Sequence, residues 1–141
     1  MTENQDDYAG DLSPREAWRL LETDGDAVLI DVRTEAEWRY VGLPRVDALD
    51  RPLVLAEWQR SSGEPNPNFV EEVKAHGVSP DAPLLLLCRS GVRSRSAAIA
   101  LTRAGYRTCF NVADGFEGPL APDGRRTVAG WKVEGLPWRQ S

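Results

Sequence analysis

Two runs of the sequence, AVLIDV at 27–32 and PLLLLC at 83–88, are apolar at nearly every position. A strand with one wet face alternates apolar and polar residues, whereas a strand without alternation must be covered on both faces. Such strands belong to parallel sheets with helices above and below, so these two runs set the fold class. The segments around them carry helical signals. Ser13, Pro14 and Glu16 make a capping box with proline at the first helical position. Ala17, Leu20 and Leu21 follow at helical spacing, and Asp24-Gly25 ends the helix. Thr34 and Glu37 repeat the capping-box spacing ahead of a short helix over 34–40. PNFVEEVKAHG reads as a helix with Asn66 as its cap and Gly77 as its stop. Ala97, Ala98, Leu101 and Ala104 share one face of a helix over 94–104, and YRTCFNV at 106–112 is a third clear strand. A short strand near 53–55, a loop at 61–68 and a short helix over 127–134 complete the expectation.

The chain has 141 residues, the size of one domain. Its start, MTENQDDYAG, is acidic and polar, and is expected to form a mobile tail over 1–10 ahead of a single domain over 11–141. This start lacks the basic end and apolar core of a secretory signal, which points to a cytoplasmic protein with reduced thiols. No apolar run approaches the ~20 residues that a membrane span needs. A net charge of −5 disfavours nucleic acid as a partner. Two cysteines and one histidine are too few and too scattered for a structural zinc site, so no metal is expected.

In parallel sheets, sites form at the carboxyl ends of the strands. Asp31 and Cys88 both sit at such ends, where two polar side chains from neighbouring strands can meet across one crevice. Cys88 leaves its strand into RSGV and reaches Arg93 after those four residues, just before a helix. Gly91 permits the sharp turn this requires. A turn of this kind aims successive N–H groups inward as an anion-binding nest, and the helix adds its positive end. Arg89, Arg93 and Arg95 add positive potential. Each of these stabilises negative charge on sulfur, and cysteines in such settings are activated nucleophiles. The same cradle suits a persulfide anion or the oxygens of an oxyanion. The bland reading, a small buried residue closing a strand, accounts for Cys88 but not for the glycine, the helix start and the arginines together.

CRSGVR resembles the active-site loop of the rhodanese-like sulfurtransferases. LIDVRTEAEW at 29–38 resembles that family's first strand segment, FNVADGFEG at 110–118 its last strand and turn, and GWKVEGLPW at 130–138 its closing segment. The four segments occur in the family's order. The resemblance implies a doubly wound α/β domain with a parallel sheet of about five strands. It implies transfer of a sulfane sulfur: Cys88 takes the outer sulfur of thiosulfate or a persulfide, becomes a persulfide, and hands that sulfur to a thiol or to cyanide. The backbone from Arg89 through Ser90, Gly91 and Val92 to Arg93 would hold the terminal sulfur. Arg89 and Arg93 would bind an anionic donor by charge-assisted hydrogen bonds. Asp31 and Arg33 resemble the family's strand-end pair, read either as a brace for the loop or as a substrate contact. No cofactor is implied. Where family members often carry Gly-His-Ile-Pro, this chain has VGLPRVDALDRP, without a histidine.

Partners are thus a small sulfur donor and a thiol acceptor, with a protein persulfide as a further possibility and no nucleic acid or membrane. Three rival readings stand beside transfer: a non-catalytic binding or regulatory module, a sulfur carrier that works only with a partner protein, and a cysteine phosphatase. Phosphatases place five residues between cysteine and arginine to admit a phosphate, and here there are four. Cys109, in RTCFN, reads as a strand-packing residue in preference to a resolving thiol. Trp18 and Trp38 read as core, Trp131 and Trp138 as pins for the C-terminal segment, and Trp58 as a residue near the 61–68 loop that borders the pocket or packs beside it.

Overall fold

The computed structural model describes residues 7–140. Five parallel strands form the main sheet: β1 (Gly10–Leu12), β2 (Val28–Asp31), β4 (Leu53–Leu55), β5 (Pro83–Leu87) and β6 (Thr108–Val112). Their order is β1-β6-β5-β2-β4, with β5 at the centre. A two-stranded antiparallel pair lies apart from it, β3 (Leu43–Pro44) with β7 (Trp138–Arg139). Four helices connect or cover the strands: α1 (Pro14–Thr23), α2 (Glu35–Tyr40), α3 (Phe69–Ala75) and α4 (Val92–Arg103).

The two apolar runs are the two central strands, and their side chains feed two separate cores. Ile30, Leu84, Leu86 and Cys88 pack on one face with Phe69 and Val73 of α3 and Ala97, Ala98 and Leu101 of α4. Leu29, Leu85 and Leu87 pack on the other with Ala17 and Leu21 of α1 and with Phe116, Trp131 and Leu136 of the C-terminal segment. The four leucines of β5 are completely buried. Full burial of such a side chain is worth about 2 kcal/mol, so the strand that carries Cys88 is among the firmest elements of the molecule.

Several boundaries differ from the sequence reading. Residues 1–6 of the expected tail lie outside the described residues; of the remainder, Tyr8 is buried and Gly10 opens β1. The ordered domain thus starts ahead of residue 11. A three-residue edge strand has no periodicity to read, and it exists because β6 offers it a free edge. The short helix expected over 127–134 is a series of turns. Gly130 has φ 115° and Gly135 φ 77°, left-handed conformations that no α-helix continues through. Helix α4 begins at Val92, two residues early, because Gly91 (φ 102°) serves as its cap. The cap of α3 is Asn68, not Asn66. Asn66 instead ties the preceding loop together, donating to the Glu57 carbonyl (2.8 Å) and accepting from the Asn68 N–H (3.0 Å). Trp38 is half-buried on α2, which has no fully buried residue, so it is not core. Trp18 is half-buried edge-to-face against the fully buried Trp131, and Trp58 likewise against Phe69. No described helix is long and apolar enough to cross a membrane.

Candidate active site

The carboxyl ends of β2 and β5 lie side by side, because the register pairs Asp31 with Leu87. Cys88 follows at once, only 1% exposed at the floor of a loop that runs to Gly91. Two donors converge on its sulfur. The Gly91 N–H reaches Cys88 Sγ at 3.1 Å, and the Ser94 hydroxyl lies 3.2 Å away. Ser94 and Asn111 were not among the expected site residues. The Asn111 amide N–H groups donate to the Gly91 carbonyl (3.1 Å) and to Asp11 (3.0 Å), which turns its oxygen toward Ser94 at 2.5 Å. The single Ser94 proton therefore lies between an amide oxygen and the sulfur. The network continues from Asp11 to the Tyr8 hydroxyl at 3.0 Å.

Glycines lock the loop from outside. A Cβ on Gly91 would collide with the Ala113 carbonyl, and one on Gly115 (φ 68°) would lie 2.6 Å from the Cys88 carbonyl oxygen. Between these contacts the turn after β6 covers the loop: Phe116 N–H donates to the Cys88 carbonyl (2.8 Å), and Glu117 and Gly118 N–H to that of Arg89 (3.0 and 3.1 Å). With its carbonyls so occupied, the loop keeps its N–H face for a guest. The first N–H groups of α4 point the same way, since helix starts leave them without intrahelical partners.

Asp31 and Arg33 are both fully buried and form a chelated pair, Nη2 to Oδ2 at 2.7 Å and Nε to Oδ1 at 3.0 Å. Arg33 also donates to the Gly42 carbonyl (2.8 Å) and stacks on the Phe116 ring at 4.2 Å, while its Nη1 has no hydrogen-bond partner among the described residues. The pair thus touches the loop's cover through Phe116. Phe116 meets Trp138 edge-to-face, and Lys132 lies over the Trp138 ring at 4.2 Å, which fixes the closing segment beside the site.

Arg93, expected to bind the donor, is ion-paired within the protein. Each end of its fork donates one N–H to Glu37 of α2, at 2.7 and 2.9 Å, two of the five donors the guanidinium has. Burial works against the Glu37 charge, but the Arg93 hydrogen bonds, the Thr34 N–H and the positive charges of Arg93 and Arg33 prevail and hold its carboxyl at about 2. Glu37 in turn raises Arg93, against the opposing effect of burial. Glu37 was visible in the sequence only as a capping residue, a role it also fills through the Thr34 N–H at 3.1 Å. Arg89 is exposed, Ser90 half-buried, and Val92 74% exposed at the rim. Cys109 is buried 3.9 Å from the Tyr106 carbonyl, and desolvation pushes its thiol up, as befits a packing residue. No group of three His, Cys, Asp or Glu among the described residues is arranged to hold a metal ion.

A five-stranded parallel sheet, with a cysteine turned from its central strand into a short loop capped by a helix, is the rhodanese-like architecture, and the chain is a rhodanese-like domain. Over residues 9–141 it matches the family described as the STR4 middle domain, and it belongs to that family. The crystal structure of Rv0390 from M. tuberculosis is 48% identical, with a TM-score of 0.89 over 95% of this chain and 99% of that one. The solution structure of the polysulfide-sulfur transferase homodimer from Wolinella succinogenes is 25% identical, with a TM-score of 0.67 over 98% of this chain and 82% of that one. Thiosulfate sulfurtransferase GlpE of Actinobacillus pleuropneumoniae is 28% identical over 127 residues, 90% of each chain. Fold and relatives together support membership of the sulfurtransferase superfamily.

Proposed function

We propose that this chain is a sulfurtransferase that carries a sulfane sulfur on Cys88. The observation that carries the reading is the convergence of the Gly91 N–H and the Ser94 hydroxyl on a cysteine sulfur at the end of the central strand. The Gly91 N–H and the Ser94 proton that Asn111 shares with the sulfur, in a loop whose carbonyls are engaged elsewhere, stabilise an anion on Cys88 and on a sulfur attached to it. The reaction is a double displacement. Cys88 Sγ attacks the outer sulfur of the donor, the donor's S–S bond breaks, and its electron pair leaves with sulfite or a thiolate. The Cys88 persulfide then passes its outer sulfur to cyanide or a thiol, and the Cys88 thiolate returns. No net oxidation occurs. The loop N–H groups from Arg89 to Arg93 hold the terminal sulfur, with Asp31 and Arg33 bracing them. Cys88 and Cys109 are both free and buried, which suits the reducing cytoplasm, where a thiol is the natural acceptor.

The test is intact mass of wild type and Cys88→Ser after exposure to thiosulfate or to cysteine persulfide. Wild type is expected to gain one sulfur atom and lose it to cyanide, while C88S gains none. Absence of any gain from either donor would reject the reading in favour of a binding module.

A further inference from the structure

Granting that Cys88 carries sulfur, the charges around its loop assign the donor, and we propose that it is a persulfide of a thiol, R–S–SH, and not dianionic thiosulfate. Cys88 is 1% exposed, so a donor reaches Sγ end-on with its outer sulfur, and the rest of the donor stays at the mouth. For thiosulfate that remainder is a sulfonate, which is held best by a cation whose charge is not already compensated. The arginine placed to serve it, Arg93, already grips Glu37 with both ends of its fork. Glu37 stays ionised, since its carboxyl is held at about 2, and the pair presents no net charge. The charge of Arg33 is likewise paired, with Asp31. The turn that clamps the loop carries Asp114 and Glu117, and the free cation of the loop itself is the exposed Arg89. A dianion there gains the loop's N–H groups but little uncompensated side-chain charge beyond Arg89. A persulfide brings an uncharged or singly charged end and leaves a thiolate.

The step balances as Cys88–S⁻ + R–S–SH → Cys88–S–SH + R–S⁻. The donor's S–S bond breaks, its electron pair leaves on R–S⁻, and a new S–S bond forms at Cys88. A second thiolate reverses the exchange onto itself, R′–S⁻ + Cys88–S–SH → R′–S–SH + Cys88–S⁻, so no outside oxidant or reductant takes part.

The experiment compares kcat/KM for thiosulfate and for cysteine persulfide in wild type, Glu37→Gln and Arg93→Gln. Glutamine keeps the capping box of α2 while removing the charge. Wild type is expected to prefer the persulfide at least about tenfold, and E37Q to raise the thiosulfate-to-persulfide ratio about tenfold by freeing the Arg93 charge. R93Q, which leaves Glu37 uncompensated, is expected to lower the same ratio. Loss of packing alone would slow both donors together and leave the ratio where it was. Equal or better use of thiosulfate by wild type, or a ratio unmoved in both variants, would overturn the assignment while leaving sulfur transfer intact. Failure of both donors to load Cys88 in wild type would instead overturn the sulfurtransferase reading itself.

Discussion

Cys88 owes its setting to residues that look ordinary in the sequence. Ser94 stands inside the first turn of α4 and Asn111 near the end of β6, and neither residue type carries a catalytic signal of its own there. Together they place a hydroxyl 3.2 Å from the sulfur. Ser94→Ala is expected to slow sulfur loading about tenfold, less than the 10²–10³ lost with a full oxyanion-hole donor, because the sulfur keeps the Gly91 N–H. It also leaves the Asn111 oxygen without its donor at a cost of about 1–3 kcal/mol. Loading rate followed by intact mass, with urea denaturation beside it, separates the two effects. At this scale the nucleophile was legible because cysteine, glycine and arginine in one short loop have a joint chemical meaning. Its hydrogen-bond partners were not, because Ser94 meets Asn111 through a fold contact between residues far apart in the chain.

Helix α2 has six residues and no fully buried side chain, so packing alone explains little of its stability. The Glu37–Arg93 pair joins it to α4. The folded-state carboxyl is held at about 2 against an ordinary 4.5, so protons bind the unfolded chain first. The stability this gives is complete above about pH 4.5 and is lost as pH falls toward 2. Urea denaturation of wild type and E37Q across that range should show the two curves converging as the acid end is approached; a constant gap would contradict it. The capping boxes of α1 and α2 were plain in the sequence, as were the helical faces, because both are set by residues within one turn of each other. Both hidden strand pairings, β1 with β6 and β3 with β7, join segments from opposite ends of the chain. Short strands of this kind are specified by the edge they meet and not by their own pattern.

The molecule is a sheet with two cores, and the chain's C-terminal segment closes one of them. Trp131 is fully buried there, between Trp18 at 5.8 Å and the Pro137 carbonyl, to which its ring N–H donates at 2.7 Å. Trp131→Ala is expected to cost about 3–5 kcal/mol in urea denaturation and to weaken sulfur loading, since the same segment holds Phe116 over Arg33. The sheet itself could be read from two runs of apolar residues, because burial on both faces leaves a strand no other place. The C-terminal closure could only be glimpsed in its tryptophans, since a segment of turns and left-handed glycines has no period.

The cover of the active-site loop has one more consequence, which concerns the order in which the chain is made. Synthesis runs from the N-terminus, so Cys88 emerges before Ala113, Phe116 and Gly118, whose backbones enclose it. Until those residues arrive, the loop stands without the amides and carbonyls that hold its backbone. A nascent chain stalled ahead of Gly118 therefore carries Cys88 in a loop whose carbonyls still lack the amides that clamp them.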